Sequence, residues 1–358
     1  MRNFFKFFAG LIFFLFIGCS SPEQYSDQIT KADQFISNTL NENHLPGISV
    51  TILKDGNKIY SKGFGYADID EKRKILPSST RFRIGSISKT LAASALMKLV
   101  EEGKIDLDGS IYFYVPDYPK KRWKFTSRQI AGHLSGIRHY KGDEMMINKN
   151  FSNVKDALSV FKMDSLLHEP DTKYNYSTHA WTLLSMVIEN ASGESFLDYT
   201  QANIFDLLDM KNTHAEKKNL IGVEKVSYYL LDSTKTAILE PEVNNSWKWA
   251  GGGFISTTED VAKFLWAHSN YDYLNENSIK EMITPQKTMD GESTSYGLGW
   301  ETVYDKNNNP LIGHTGGSIG GTSYAFMAPH SNTIVVMTTN LSDASFGGLA
   351  NDLFELFE

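Results

Sequence analysis

The spacing of apolar residues changes repeatedly along this chain, and each change marks a different kind of element. The opening stretch MRNFFKFFAGLIFFLFIGCSS holds Arg2 and Lys6 ahead of an unbroken apolar run from Phe7 to Gly18. That run is shorter than the roughly 20 residues that span a bilayer, and it has the charge and length of a secretory signal segment. From Ser20 to about Lys31 the residues are polar, as in a tether. ADQFISNTLNENHLPG then places apolar residues at helical spacing and ends at Pro46 and Gly47, which predicts an opening helix. In ISVTILKDGNKIYSKGFGYAD two β-rich runs flank Asp55-Gly56, a strong hairpin signal.

After Gly85 the pattern becomes SISKTLAASALMKLVEEGKI, rich in strong helix formers and closed by Gly103. Apolar residues fall on nearly every side of this helix, so it belongs in the centre of the molecule. Residues from about 126 to 280 read as helices and loops. Strands return in TSYAFMAPHSNTIVVMTTN, with a Pro-His-Ser-Asn turn between them, and ANDLFELFE forms a closing helix. The expected fold class is therefore α/β in the α+β sense: an antiparallel sheet built from both termini, flanked by helices, with an inserted mostly helical region. Residues 1–18 are read as a signal peptide, 19–31 as a tether and 32–358 as one domain.

Composition narrows the function. With 358 residues, 41% hydrophobic and 22% charged, the chain has the make-up of a globular protein. A formal net charge of -7 with scattered lysines and arginines offers no basic face for phosphate backbones, which excludes nucleic acid as a partner. The single cysteine, Cys19, cannot form an internal disulfide. It closes FIGC, which resembles a bacterial lipoprotein processing box with Phe16 where leucine is usual. The resemblance implies that Cys19 is lipidated and becomes the first mature residue, so that the protein is exported and held at a bacterial membrane.

Candidate chemistry begins with S-x-x-K, which occurs three times: Ser86 to Lys89, Ser152 to Lys155 and Ser159 to Lys162. The last two lie in SNVKDALSVFK, an amphipathic segment with lysines on a solvated face. The first opens the central helix, where residues three apart share a face and burial would lower the lysine pKa enough for it to take the serine proton. YNYSTHAWTLLSMVIE sets Tyr176, Ser177 and Thr178 just before another helix, where a phenol can move a proton to a leaving group. LIGHTGGSIGGTSYAFM sets His314, Thr315, Gly316 and Gly317 at the start of a strand, where glycines permit close backbone approach to a ligand.

In that order, Ser86-Ile-Ser-Lys89, Tyr176-Ser-Thr178 and His314-Thr-Gly316 resemble the signature of serine β-lactamases and penicillin-binding proteins, in the branch of class C β-lactamases, DD-peptidases and related esterases. LPGISVTILKDG, FRIGSISKTLAA, WAGGGFISTTEDVAKF and YGLGW resemble the family's supporting segments, over roughly residues 44 to 342. HLSGIRHY and YSTHAWTLLS are similar to the mitochondrial β-lactamase-like serine peptidase and its bacterial relatives. The resemblance implies a β-lactamase/transpeptidase-like fold, Ser86 as the acylated serine, Lys89 as its proton acceptor and Tyr176 as the proton carrier. It implies an oxyanion hole from the backbone N–H groups of Ser86 and Gly317, and substrate contacts from Thr178, His314, Thr315 and Gly316. Two departures stand out: Thr178 replaces the usual asparagine, and His314 the usual lysine. A histidine is only partly charged near pH 7, so a firm grip on a substrate carboxylate and strong β-lactam hydrolysis are not expected.

Other readings weigh less. GGSIG formally matches G-x-S-x-G with Ser318 as nucleophile, but the following GTSYAFMAP reads as a strand where a nucleophile elbow needs a helix. His133, His139 and Glu144 lack helical metal spacing and read as loop and packing residues, so neither metal nor cofactor is expected. A noncatalytic penicillin-binding or scaffold lipoprotein is the rival of another class. The expectation is a lipid-anchored serine hydrolase acting on a small peptide, amide or ester, a DD-carboxypeptidase-like peptidase ahead of an esterase or weak β-lactamase. Oligomeric state is not readable.

Overall fold

The computed structural model describes residues 22–218, 222 and 224–358. The signal segment and Cys19 therefore lie outside the described residues, and among these no helix is long and apolar enough to cross a membrane. The first helix, α1, runs Ser26–Glu42. It starts earlier than the sequence pattern suggested and corrects the tether: Ser26 to Lys31 are helical, and Tyr25 and Ile29 pack on the core beside buried Ala32 and Ile36.

Strands β1 (Gly47–Lys54) and β2 (Asn57–Gly65) form the expected hairpin. Asp55 and Gly56 both have positive φ, 50° and 78°, as a two-residue turn matched to strand twist requires. The short strand β3 (Phe82–Arg83) leads into the central helix α2 (Ser88–Glu101). Helices α3 (Ser127–Ala131), α4 (Val154–Ala157), α5 (Thr178–Ser192) and α6 (Phe196–Thr200) follow. Three short strands come next: β4 (His214–Ala215), β5 (Tyr229–Leu231) and β6 (Ala237–Leu239). Then come α7 (Trp249–Gly252), β7 (Phe254–Ser256), α8 (Thr258–Ser269) and α9 (Glu276–Ile283). The chain finishes with β8 (Glu301–Tyr304), β9 (Pro310–Ser318), β10 (Gly321–Ala328), β11 (Thr333–Thr339) and the closing helix α10 (Leu349–Phe357).

Both ends of the chain build one antiparallel sheet in the order β2-β1-β11-β10-β9-β8. Alternation along its central strands serves two cores. Ile48, Val50, Ile52, Val335 and Met337 face α1 and α10, whereas Ile334 and Val336 face the core around α2. Ser49 and Thr51 meet α8 through the hydroxyl of Thr258 at 2.8 Å each, so polar groups inside the sheet are paired rather than orphaned. Most of α2 is buried, as its all-round apolar pattern predicts, and Gly103 ends it with φ 69°. The inserted region is less purely helical than expected: β3, β7 and β4 make a second small sheet that fixes the approach to Ser86.

Candidate active site

β3 delivers the chain to a tight turn at Gly85, where φ is 50°, and Ser86 sits at its crest just ahead of α2. A Cβ on Gly85 would lie 2.7 Å from the carbonyl oxygen of Gly317 and 2.8 Å from its nitrogen. One on Gly316 would lie 2.1 Å from Ser323 Oγ and 2.2 Å from the carbonyl oxygen of Ile84. These glycines let the serine turn press against β9, with Ser323 Oγ donating to Ile84 O at 2.9 Å as a tie.

Lys89, fully buried, places Nζ 2.9 Å from Ser86 Oγ, 2.6 Å from the carbonyl oxygen of Gly251 and 3.2 Å from Thr178 Oγ1. Burial pushes its pKa well below the ordinary lysine value, the nearby charge of Lys248 pushes the same way, and Glu301 opposes them. A neutral amine has two N–H donors and one lone pair. As an ammonium Nζ donates to all three oxygens; as the neutral amine that burial favours, its two hydrogens on Gly251 O and Thr178 Oγ1 leave the lone pair for the Ser86 hydroxyl.

Tyr176 lies over the same lysine, with Lys89 Nζ 4.8 Å from its ring centroid. Its ring packs 4.2 Å from His133 and 6.4 Å from His314. Burial raises the phenol well above its ordinary value, Glu301 adds to the rise, and the Ser86 hydroxyl beside it pulls downward. Tyr176 is therefore a phenol at neutral pH, an acid able to give a proton to a departing amine. The loop that carries it is pinned by two histidines: Ser177 N–H donates to His133 Nδ1 at 3.1 Å and Thr178 N–H to His139 Nδ1 at 3.2 Å. Burial keeps both neutral, His139 at about 4 and His133 well below its ordinary value. These histidines serve the architecture of the site. Glu144 nearby is held by Arg138 and His179.

Several expected substrate contacts are corrected. Thr178 is buried with its hydroxyl on Lys89, so it holds the base. Gly316 is buried between Ile84 and Ser323 and serves close packing. His314 is only 1% exposed, and both ring nitrogens are taken. Nδ1 faces the acceptors Thr315 O at 2.5 Å and Glu301 Oε1 at 3.4 Å, so it carries the proton, and Nε2 accepts from the Tyr296 hydroxyl at 2.8 Å. Burial lowers its pKa, with Glu301 pulling upward. His314 thus backs the site as a neutral ring.

Thr315 and Gly317 are exposed, and the Thr315 amide points outward to Glu301 Oε2 at 3.0 Å. By the two-residue period of a strand, the Gly317 N–H points to the same side, and the Gly317 backbone lies against the turn at Gly85 that carries Ser86. β8 pairs with β9 only as far as Gly313; beyond it Glu301 and His314 hold the Thr315 backbone, and Gly317 is exposed. Ser318 ends β9 and is followed by β10 rather than a helix, so no nucleophile elbow exists there. Sequence reasoning missed the carbonyl of Gly251, the cation of Lys248 and the carboxylate of Glu301. Only the glycine run WAGGGF carried a signal for the first.

Comparisons with known proteins identify the family and the fold. The family model described as Beta-lactamase matches residues 32–355. The human serine beta-lactamase-like protein LACTB, mitochondrial, is 31% identical over 79% of this chain and 69% of its own. Protein flp of Staphylococcus aureus strain MW2 is 26% identical over 88% of this chain and 64% of its own. Among solved structures, the octameric penicillin-binding protein homologue from Pyrococcus abyssi superposes with TM-score 0.78 at 27% identity, covering 92% of this chain and 76% of that one. The D-amino acid amidase of Ochrobactrum anthropi, at 22% identity, shares the fold with TM-score 0.80 over 92% and 99% of the two chains.

Proposed function

The chain belongs to the beta-lactamase family, and on that footing we propose that it is a serine hydrolase that forms an acyl-enzyme at Ser86 and cleaves an amide bond in a peptide-like substrate. The observation that carries this reading is the buried Lys89 amine 2.9 Å from Ser86 Oγ, its other contacts both acceptors. Neutral Lys89 takes the serine proton as Oγ attacks the carbonyl carbon. The developing oxyanion lies between the N–H groups of Ser86 and Gly317, donors already fixed by the turn and the strand. Tyr176 gives its proton to the departing amine and regains one from Lys89. Water then enters, and the same groups act in reverse to release the acid.

The exposed end of β9 at Gly317, beyond its pairing with β8, favours a peptide, because an extended chain can lie along it while its carbonyl meets Gly317. Glu301 weighs against a carboxypeptidase. It sits on Thr315 with the amide N–H at 3.0 Å and the hydroxyl at 3.2 Å, so a free carboxylate on the leaving side would meet a like charge. Export and lipid attachment at Cys19 are part of the same proposal on the strength of FIGC. Labelled palmitate incorporated by the wild type and lost in Cys19→Ala is the expected result there.

The direct test is intact-mass spectrometry after incubation with a fluorophosphonate and, separately, a penicillin. A single fluorophosphonate adduct that disappears in Ser86→Ala is expected. A penicillin adduct that persists points to peptidase chemistry over β-lactam hydrolysis. Folded protein that takes no fluorophosphonate contradicts the proposal.

A further inference from the structure

Glu301 opens β8 and rests on the strand beside the nucleophile. Its Oε2 accepts the Thr315 N–H at 3.0 Å, and the Thr315 hydroxyl stands 3.2 Å from both carboxylate oxygens. These are two hydrogens, whereas a carboxylate offers about four lone-pair sites. The basic side chain within ion-pair reach among the described residues is His314, with Nδ1 3.4 Å from Oε1, and burial lowers the pKa of that ring. No lysine or arginine among the described residues pairs with Glu301, and its side chain is 22% exposed. The carboxylate is thus fixed in place, reachable from solvent and unneutralised.

Its place relative to Ser86 follows from β9. The Gly317 backbone lies against the Gly85 turn that carries Ser86, and Thr315 comes two residues earlier, about 7 Å along the strand. That separation is within the span of a long side chain on the residue next to the scissile carbonyl. Which half of a substrate lies there is set by the proton donor. The Tyr176 ring stands 6.4 Å from His314 and 6.1 Å from Tyr296, whose hydroxyl is bonded to His314. The departing amine therefore leaves toward the 314–315 end of β9, the end that Glu301 occupies. At the other end Ile319 O accepts from Arg83 at 2.6 Å. An aromatic face stands on the Glu301 side as well. Tyr174 is 40% exposed, its ring 6.1 Å from that of Tyr296, and Glu301 is the charge that acts on its phenol. A carboxylate near an exposed aromatic face suits an ammonium or a guanidinium.

We propose that Glu301 is a specificity-determining residue that selects a cationic leaving group, a peptide-like amide whose departing residue carries an ammonium or guanidinium, an inference that rests on the acyl-enzyme reading above. The carboxylate that repels a free terminal carboxylate on this side then forms an ion pair with the departing residue. The pair lies at the rim of the site, where solvent and salt screen part of the attraction. Its effect belongs to the choice of leaving group: Ser86 and Lys89 act on the carbonyl, and Glu301 biases which amine is presented to Tyr176.

The test offers acetylated peptide amides whose acyl residues are randomised in both configurations and whose last residue is Lys, Gln or Glu, each as its C-terminal amide. The released amino-acid amides are followed together by mass spectrometry, so competition reads the ratio of kcat/KM directly. That ratio cancels any change in Lys89 chemistry. The wild type should release lysine amide about fivefold faster than glutamine amide, with glutamate amide slowest. Glu301→Gln, which keeps an acceptor for the Thr315 N–H, should bring the Lys-to-Gln ratio near one, and Glu301→Lys should put glutamate amide first. Raising salt to about 0.5 M should shrink the wild-type ratio, which a role confined to holding Thr315 would not produce. A wild-type ratio near one, a ratio unmoved by Glu301→Gln, or no amide released while fluorophosphonate labels Ser86, overturns the assignment. Wild type that takes no fluorophosphonate removes the hydrolase reading itself, and this inference with it.

Discussion

Ser86 and Lys89 stand three residues apart, as do Ser152 and Lys155, and Ser159 and Lys162, yet the three pairs meet different surroundings. Lys89 points into the centre of the molecule, shielded from solvent and with acceptors beside it in Gly251 O and Thr178 Oγ1. Ser152 and Lys155 are exposed around the short helix α4, and Ser159 Oγ is spent on the carbonyl of Asp156 at 2.6 Å. Reactivity at the first pair comes from neighbours distant in sequence: Gly251, Thr178 and Tyr176 approach only because α2, α5 and α7 pack together. Spacing brings a lysine within reach of a serine. Desolvation and a defined set of partners turn it into a base.

The contrast can be broken at several points. Lys89→Met should slow fluorophosphonate acylation of Ser86 by at least about a thousandfold, since the alcohol then has no base. Lys155→Met and Lys162→Met should leave the rate unchanged. Next in size is Gly316→Ala, whose new Cβ would fall 2.1 Å from Ser323 Oγ and 2.2 Å from Ile84 O. The serine turn must then move away from β9, and a loss of about a hundredfold in acylation, with a lower Tm, is expected.

A third test sharpens the buried side of the comparison. Burial holds His139, His179 and His268 near 4 in the folded protein, against about 6.5 when unfolded. With folded values depressed, the unfolded chain binds more protons between those limits, so stability is full above about pH 6.5 and is lost as pH falls toward 4. Chemical denaturation from pH 7 to 4.5 should show a loss on the order of 2 kcal/mol for each of His179 and His268. The smallest effect belongs to Glu301→Gln. Glu301 raises the Lys89 pKa from a partly exposed position, so its removal should move the acid limb of the acylation profile to lower pH by less than about one unit.

Much of the scaffold was legible because its signals are local. Asp55-Gly56 demands positive φ at both residues, the apolar run after Ser86 can only be a central helix, and alternation in the last strands fixes which side faces which core. The helix start at Ser26 was missed because Ser26 to Lys31 is polar apart from Ile29, and only packing on the core shows that it is ordered. β3, β4 and β7 are two or three residues long and pair only with partners far along the chain, Phe82 with Ser256 and His214 with Ile255, too little pattern to read in a chain. In the site, the order of motifs located Ser86, Lys89 and Tyr176, which the fold brings together. The orientations of Thr178, His314 and Gly316 were not legible, since the inward turn of a side chain depends on Gly251, Tyr296 and Ile84. Lys248 and Glu301 carry no motif. Their influence on Lys89 emerges only when the fold brings them near it.

The central claim, that Lys89 is held neutral so that it can take the Ser86 proton, is tested most directly by the pH dependence of fluorophosphonate acylation of Ser86. The account predicts a rate already on its plateau at pH 7 to 8, falling only on acidification as the buried amine becomes charged. A rate that climbs continuously through this range toward an inflection near the ordinary lysine value of about 10.4 would contradict it.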